Sequence, residues 1–299
     1  MSSADKLIIN AAITGMVPSK AENPHVPISP EEIAADARRC VDAGASIVHL
    51  HARDEVGRAT WRADIYREVL RQVRVACPEV ILCVSTSGRN FKRFEERSAV
   101  LEIESPRPEM ASLTLGSMNF ARVESVNAPS MIQALAERMK ERGIVPELEV
   151  FELGMAEYTG YLIKHGILRG PFYANILLGN LGTLSATREN LAMVVRALPA
   201  GCVWAGAGIG RYQELVNRMA VEMGGHVRVG LEDNLWMDER RTPASNAGLI
   251  ERVVQFAREA GRQVATPAEA RLMIGLNRIA CTELPRNKLI ASGAPISSR

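Results

Sequence analysis

The sequence alternates eight times between a strand-like apolar run and a segment with helical spacing. The first pair is KLIINAAI and SPEEIAADARRCVDAG, and the last pair is HVRVGLED and ASNAGLIERVVQFAREAG. Strands that alternate with helices predict parallel pairing through crossover connections. Several runs are apolar at nearly every residue, as expected of strands covered on both faces. Eight such units in about 250 residues predict an α/β fold, the closed (β/α)8 or TIM barrel.

An open, doubly wound sheet is the alternative arrangement of the same units. Such sheets usually contain fewer units per domain and carry a glycine-rich turn after the first strand. Here the first strand is followed by TGMVPSK, which lacks the GxGxxG pattern, so the barrel is favoured. No linker or low-complexity stretch suggests a second domain. We therefore expect one barrel domain over residues 1–299, with a short helix, TPAEARLMIGL, appended near its C-terminal end.

Charge and composition narrow the class of function. The 299 residues carry a formal net charge of +2 without a basic block or basic helix, which argues against a nucleic-acid or membrane-surface partner. No apolar run approaches the length of a membrane span, and the opening MSSADKLIIN lacks the layout of a signal peptide. The five cysteines are scattered without CxxC spacing, which predicts reduced thiols. We expect a cytoplasmic protein.

Two of the five histidines stand one residue apart at the end of the second strand-like run, in SIVHLHARD. Side chains alternate along a strand, so His49 and His51 would share one face. The chemistry of a TIM barrel lies at the C-terminal ends of its strands, where this pair falls. Neutral imidazoles suit zinc, and two on one face can bind a single ion. A pair of structural histidines bonded to the backbone is the alternative.

A carboxylate at the end of the eighth run completes this candidate metal site. In HVRVGLEDN the alternation places Arg228, Gly230 and Glu232 on one face. Strands 2 and 8 both lie beside strand 1 in an eight-stranded barrel, so their ends share one mouth. Glu232 would then be the third ligand of a two-histidine, one-carboxylate site, with a position left open for substrate or water.

Asp233 and Arg228 stand next to this site in the sequence. A carboxylate beside a metal-polarised carbonyl can remove the neighbouring α-proton, so Asp233 is a candidate base. Arg228 would hold a substrate carboxylate or orient Asp233. A structural ion pair between the two residues, closing the loop, is the alternative.

Polar residues at the other predicted strand ends extend the candidate site. STSGRN after the third run offers hydroxyl and backbone N–H groups suited to a carboxylate or phosphate, although such a string is equally typical of a turn. An acid that points into a barrel, such as Glu147 or Glu149 in PELEVFEL, needs a cationic partner. The candidate substrate contacts are Ser85, Gly88, Thr114, Asn119 and Glu149, together with Val17 from the loop after the first run.

These strings together resemble one enzyme family. HLHARD, STSG, PEMASLTLGSMNF, PELEVFELGM, HVRVGLEDN and ATPAEARLMIGL are similar to segments of the β-keto acid cleavage enzymes, and the resemblance covers nearly the whole chain. It implies a zinc-containing TIM barrel, usually a homotetramer. It also implies a reaction in which a β-keto acid and acetyl-CoA give acetoacetate and a new acyl-CoA.

The resemblance assigns roles to individual positions. His49, His51 and Glu232 match the zinc ligands, although the same ligand chemistry accepts nickel or cobalt. Asp233 matches the base that removes the C2 proton of the keto acid, and Arg228 matches its assisting arginine. The positions that match the site for the substrate carboxylate are Ser85, Gly88 and Thr114.

One departure from the family bears on the substrate. Where the family's 3-keto-5-aminohexanoate enzyme has an acid after its TG turn, to bind the substrate ammonium, this chain has Val17. A neutral, β-branched side chain cannot pair an ammonium, so we expect a keto acid with an apolar or uncharged tail. Arg89 in STSGRN suggests an anionic tail as the alternative.

Two other functions are compatible with the same residues. A zinc-dependent aldolase or hydrolase would use the three ligands with a bound water as nucleophile and without CoA. A non-catalytic metal-binding or CoA-binding barrel would need the ligands but not the candidate base. Dependence on acetyl-CoA separates the first alternative from acyl transfer, and any turnover excludes the second.

Overall fold

Eight parallel strands form a closed barrel in the computed structural model, which describes residues 6–121 and 123–276. The strands are β1 Ile9–Ala12, β2 Ile47–Leu50, β3 Ile81–Val84, β4 Met110–Thr114, β5 Val145–Val150, β6 Tyr173–Leu178, β7 Val203–Gly208 and β8 His226–Val229. They pair in chain order around the barrel, and β1 closes it against both β2 and β8. The predicted TIM barrel is confirmed.

Between residues 6 and 276, a helix follows each strand, and a ninth comes after the last βα unit. The helices are α1 Pro30–Ala43, α2 Ala63–Ala76, α3 Phe94–Ser98, α4 Pro129–Glu141, α5 Leu153–Lys164, α6 Arg188–Ala197, α7 Gln213–Glu222, α8 Asn246–Glu259 and α9 Pro267–Ile274. Short antiparallel hairpins interrupt the connections after β2 and β4. Among the described residues, no helix has both the length and the apolar character that crossing a membrane requires.

Side-chain capping starts several helices where the sequence supplies the required residues. At the start of α1, the Ser29 hydroxyl accepts the Glu32 backbone N–H, and the Glu32 carboxylate accepts the Ser29 N–H. This reciprocal pair satisfies two backbone donors that a helix N-terminus otherwise leaves free. The appended helix α9 begins with the same arrangement, made by Thr266 and Glu269, and ends at a left-handed Gly275 with φ of 81°.

Two apolar clusters stabilise the barrel. The smaller one closes the end at which the strands begin, called the lower end below. The larger cluster fills the layer between the strands and the surrounding helices. The smaller one joins Ile8, Ile47 and Ile81, near the start of three strands, to Ala270 and Ile274 of α9. Helix α9 therefore packs across the N-terminal end of the barrel, so the polar side chains of the interior face the opposite mouth.

The eighth strand is shorter than the sequence pattern indicates. It ends at Val229, because the chain turns at Gly230, whose φ is 152°. A Cβ at this glycine would lie 2.2 Å from the carbonyl oxygen of Ala12, so no larger residue fits. The backbone N–H of Asp233 bonds to the Gly230 oxygen at 3.2 Å. Glu232 and Asp233 therefore extend from a turn, and the expectation that strand alternation carries on to Glu232 is wrong.

Candidate active site

The end of β2 and the turn after β8 bring three ligand-type side chains to one point at the mouth of the barrel. The Nε2 atoms of His49 and His51 are 3.3 Å apart. One carboxylate oxygen of Glu232 lies 3.2 Å from His51 Nε2, and the other lies 3.7 Å from His49 Nε2. Both imidazoles are buried, while the Glu232 side chain keeps 16% of its surface exposed. The cluster is therefore enclosed on the barrel side and reachable from the mouth.

These side chains fit a single divalent ion. One donor atom from each of the three lies within 4.8 Å of the others. The Glu232 Oε2 atom is buried and has no hydrogen-bond partner among the described residues, so it is an acceptor that a cation would satisfy. Gly15 packs directly against this side chain, since a Cβ there would lie 2.8 Å from Glu232 Cγ. Two imidazoles and one carboxylate are a donor set typical of zinc.

Glu147 lies behind His49 and fixes the orientation of its ring. Its Oε2 atom is 2.7 Å from His49 Nδ1, and its Oε1 atom accepts the Asn10 amide at 2.6 Å. Asn10 is on β1 and Glu147 on β5, so these bonds cross the barrel interior. Burial alone would lower the pKa of His49, but the carboxylates of Glu147 and Glu232 raise it to about 9. Because Nδ1 is engaged by Glu147, Nε2 is the nitrogen available for an ion.

Arg228 connects the carboxylates of the site. Its side chain is almost wholly buried and contacts Glu232 at 2.8 Å, Asp233 at 2.9 Å and Glu149 at 3.3 Å. Burial would lower its pKa, but the three carboxylates raise that pKa well above the ordinary value. Arg228 is therefore a permanent buried cation, and its planar fork sets the relative positions of the three acids.

Asp233 and Glu232 are neighbours in sequence, yet their pKa values shift in opposite directions. Burial raises the pKa of Asp233, and the Arg228 guanidinium only partly opposes that effect. Burial also disfavours the Glu232 carboxylate, but His51, Arg228 and His49 together hold its pKa well below the ordinary value. One acid is thus held ionised while the other can gain a proton more readily. Environments that separate two acids in this way are typical of sites that transfer protons.

Three of the candidate substrate contacts lie at the site. Ser85 and His51 line the same narrow cleft. Thr114 donates its hydroxyl hydrogen bond to Glu149 at 2.6 Å, so both belong to the network around Arg228. The pKa of Glu149 is raised by its burial and by the nearby Glu147, although Arg228 opposes the shift.

The other candidate substrate contacts have different surroundings. Gly88 is buried against Arg97, and a Cβ at this position would lie 2.6 Å from Arg97 Nη1. Val17 is 58% exposed, and Asn119 is exposed with its backbone oxygen accepting the Asn180 amide at 3.0 Å. Among the described residues, neither of these two side chains hydrogen-bonds to the ligand cluster.

Arg53 is a positioning residue that the sequence argument did not single out. It donates to the backbone oxygens of Gly15 at 2.9 Å, Pro18 at 2.8 Å and Gly57 at 2.9 Å. These bonds join the loop after β1, which packs on Glu232, to the hairpin after the two histidines. The sequence shows this arginine in HLHARD, but its partners are backbone oxygens, so the sequence could not predict its contacts.

Comparison with known proteins identifies the family of this chain. The profile of a family described as beta-keto acid cleavage enzyme matches residues 6–276. The 3-keto-5-aminohexanoate cleavage enzyme of Fusobacterium nucleatum subsp. nucleatum is 40% identical over 275 residues, which are 92% of this chain and 99% of that protein. The 3-oxoadipate:acetyl-CoA acetyltransferase of Cupriavidus necator is 39% identical over 272 residues, covering 90% and 94% of the two chains.

Solved structures of similar fold include complexes of ObcA. The binary complex of ObcA with oxaloacetate matches with a TM-score of 0.75 and 25% identity, over 85% of this chain and 68% of that chain. The ternary complex of ObcA with a C4-CoA adduct and oxalate matches with a TM-score of 0.72 over the same shares of both chains. From the profile match and the two close relatives, we conclude that the chain belongs to the beta-keto acid cleavage enzyme family.

Proposed function

We propose that this chain is a zinc-dependent acyltransferase that converts a β-keto acid and acetyl-CoA into acetoacetate and a new acyl-CoA. The observation that carries the proposal is the cluster of His49, His51 and Glu232 beside the Arg228–Asp233 pair at the barrel mouth. The names of two relatives support the use of acetyl-CoA: 3-oxoadipate:acetyl-CoA acetyltransferase and 3,5-dioxohexanoate:acetyl-CoA acetone transferase.

The three clustered side chains would hold the metal ion. His49 and His51 supply Nε2 atoms, and Glu232 supplies the carboxylate whose Oε2 has no other partner among the described residues. When bound, zinc supplies Lewis acidity that stabilises negative charge on a nearby keto oxygen and so lowers the pKa of the adjacent C–H. Glu147 keeps the His49 ring in the orientation that ligation requires.

Asp233 is the proposed base for the C2 proton of the keto acid. Arg228 holds its carboxylate through contacts of 2.9 Å to Oδ2 and 3.3 Å to Oδ1. This pairing favours the ionised form that proton removal requires, while burial raises the pKa of Asp233 and so strengthens it as a base. The residue can then carry the proton through the reaction and return it to the product.

The proposed reaction balances without an oxidant or reductant. The C2 carbanion attacks the acetyl carbonyl of acetyl-CoA, which forms a carbon–carbon bond and releases the CoA thiolate. The thiolate then adds to the former keto carbon, and the bond from that carbon to C2 breaks. The new acyl-CoA departs, and the C2 carbanion of acetoacetate recovers the proton from Asp233.

Isotope labelling tests this proposal directly. Purified protein, analysed first for bound metal, is incubated with 3-oxohexanoate or 3-oxoadipate and acetyl-CoA labelled with ¹³C in both acetyl carbons. Both acetyl carbons are expected in acetoacetate, and the new acyl-CoA is expected without label. Label in free acetate would instead indicate simple CoA transfer. Cleavage without acetyl-CoA would favour the aldolase or hydrolase.

A ligand variant tests the metal site. In Glu232→Gln the amide cannot supply an anionic oxygen, so the bound metal is expected to fall below one ion per chain and turnover to be lost. Glu152→Gln, on the loop after β5, is the matched control and should retain metal and turnover. Full metal occupancy in Glu232→Gln would remove this residue from the proposed ligand set.

The proposal extends to quaternary structure, on the resemblance to the family, and to location, on the scattered cysteines without CxxC spacing. We propose a cytoplasmic homotetramer. Sedimentation equilibrium should then give four times the mass of the chain across a range of protein concentrations.

A further inference from the structure

The loop after β3 carries a cation whose side-chain donors bind no other residue that the structure describes. Arg89 is half-buried, and its guanidinium carbon lies 3.5 Å from the centre of the Phe120 ring. Phe120 follows β4 and packs edge-on against Phe151, which follows β5, with ring centres 5.8 Å apart. Three loops at the barrel mouth thus build an aromatic support for this one guanidinium.

The guanidinium makes no ion pair or hydrogen bond with any residue in the described ranges 6–121 and 123–276. Three buried arginines at this end of the barrel do have partners: Arg228 binds carboxylates, Arg53 binds backbone oxygens, and Arg97 binds backbone oxygens and the Asn127 side chain. Burying part of a guanidinium without partners is costly, because its N–H donors lose water and gain nothing in return. Stacking occupies the face of the group and leaves its edge donors available for a planar anion.

Three carboxylates of the candidate active site act electrostatically on Arg89. Burial lowers the pKa of Arg89, and the carboxylates of Glu232, Asp233 and Glu149 oppose that shift. The guanidinium is therefore within electrostatic reach of the reaction site, although none of the three acids is close enough to pair with it. The next residues, Asn90 and Phe91, line a cleft together with Met16, from the loop that also carries Val17.

We propose that Arg89 binds a second carboxylate at the far end of the keto acid, so that β-keto dicarboxylic acids are the preferred substrates. This inference rests on the proposed function, and it replaces the apolar or uncharged tail expected from Val17. Val17 offers no charge to an ammonium, and the Arg89 cation would repel one. A carboxylate opposite Arg89 would instead form a paired, charge-assisted contact beside the reacting centre.

Matched substrates and variants test the proposal. 3-Oxoadipate and 3-oxohexanoate have the same chain length and differ in the terminal carboxylate. The wild-type protein is expected to favour 3-oxoadipate by about 10- to 100-fold in kcat/KM, as for loss of a hydrogen bond to a charged group. Arg89→Gln should remove most of that preference by raising the KM for 3-oxoadipate, with 3-oxohexanoate changed by less than about threefold. The substrate preference of Arg89→Lys should lie between those of the wild-type protein and Arg89→Gln.

A second cation on the same loop provides the control. Lys92 is 48% exposed and pairs with Glu124 at 3.5 Å, so Lys92→Met removes the same charge without touching the aromatic support. It should leave the substrate preference unchanged. An equal loss on both substrates in Arg89→Gln, or a raised KM for acetyl-CoA alone, would overturn the proposal, because Arg89 would then serve the shared carboxylate or the CoA phosphates.

Equilibrium binding separates failure of this inference from failure of the proposed acyl transfer. Adipate and hexanoate are unreactive, and they differ in the same terminal group. Calorimetry on the metal-loaded protein should show tighter binding of adipate, with the difference lost in Arg89→Gln and kept in Lys92→Met. If no keto acid is cleaved but adipate binds more tightly through Arg89, the proposed reaction is wrong and the proposed anion site is supported. Equal binding of the two acids would contradict the anion site whatever the enzyme catalyses.

Discussion

Asp233 and Glu232 show how strongly single-residue environments determine chemistry at this site. Both are acids on one turn and both contact Arg228, at 2.9 Å and 2.8 Å. Two imidazoles face Glu232 and favour its ionised form, whereas the pKa of Asp233 is raised by burial and by the neighbouring Glu232 carboxylate. We infer that neighbouring charges, more than residue type, assign one acid to the metal and the other to the proton.

Replacing Asp233 by asparagine should separate these two roles. The change keeps the shape of the side chain but removes the group that accepts a proton, so turnover is expected to fall about 10²- to 10⁴-fold. Bound metal should stay at the wild-type level, because the ligand cluster is intact. Steady-state kinetics and metal analysis on the same sample measure both. An unchanged rate would exclude Asp233 as the base.

Glu147 provides a second prediction, concerning metal affinity. Its 2.7 Å contact with His49 Nδ1 orients the ring and increases its basicity, so Glu147→Gln should weaken zinc binding about 10- to 100-fold. Competition with a chromogenic chelator measures this affinity independently of turnover. Glu152→Gln should leave the affinity unchanged. An affinity within twofold of wild type in Glu147→Gln would show that the contact has no influence on ligation.

Sequence reasoning predicted the residues of the site better than their connections. Alternation in HLH and the adjacency of the first, second and eighth strands were enough to group His49 and His51 with Glu232. Nothing in the sequence could show that Glu147, rather than Glu149, contacts His49. Which glutamate contacts His49 depends on how deep each side chain lies in the barrel. That depth is set by the stagger of all eight strands.

At the scale of elements, turns determine positions that strand periodicity cannot. β8 stops at Val229, and Gly230 must lie against the Ala12 oxygen, so the two acids of the candidate site come from a turn. The eight strand–helix units were predictable, because each has its own apolar run and helical spacing. The end of a strand was not, since it depends on contacts with a distant strand.

The loop after β3 allows a test of such a contact. Arg97 is held by the Thr86 oxygen at 2.8 Å and the Asn127 side chain at 2.8 Å, so it cannot move away from Gly88. Gly88→Ala would place a Cβ 2.7 Å from the Val126 oxygen and 2.6 Å from Arg97 Nη1. Overpacking of this kind should lower the free energy of unfolding by about 1–3 kcal/mol.

Urea denaturation with a matched glycine checks this prediction. Gly160 lies on the exposed side of α5, and a Cβ there would meet no atom within 4 Å among the described residues. Gly160→Ala should therefore stabilise the protein by about 0.5–1 kcal/mol, because alanine loses less backbone entropy in a helix. The two substitutions should shift the denaturation midpoint in opposite directions. If Gly88→Ala stabilised the protein instead, the loop would have space for a Cβ at this position, contrary to the contacts described here.

At the scale of the whole molecule, the two ends of the barrel differ in polarity. The mouth, at the C-terminal ends of the strands, contains the buried charged groups, which cost stability unless each is paired. The lower end is apolar and is covered by α9, whose Arg271 also binds Glu109 at 2.7 Å. The sequence predicted the appended helix, but its location under the barrel depends on this contact with a residue far away in the chain.

His226, at the start of β8, makes the lower end sensitive to acid. Its ring is buried, and Nδ1 accepts the Ile8 backbone N–H at 3.0 Å. Burial, assisted by the charge of Arg262, lowers the pKa of His226 to about 3. An unfolded chain would titrate this group near pH 6.5, so the unfolded state binds the proton first as pH falls. The contribution of His226 is thus fully present above pH 6.5 and is lost progressively below it.

Unfolding free energies at several pH values measure this contribution. Asparagine at position 226 can accept the Ile8 N–H but does not titrate, so His226→Asn is the suitable comparison. Between pH 6 and pH 4 the wild-type stability should fall more steeply than that of the variant, by up to about 1.4 kcal/mol for each pH unit. Carboxylates at the mouth titrate in both proteins and cancel in the difference. Parallel curves would show that the ring can be protonated in the folded barrel at no cost, contrary to its burial beneath the strands.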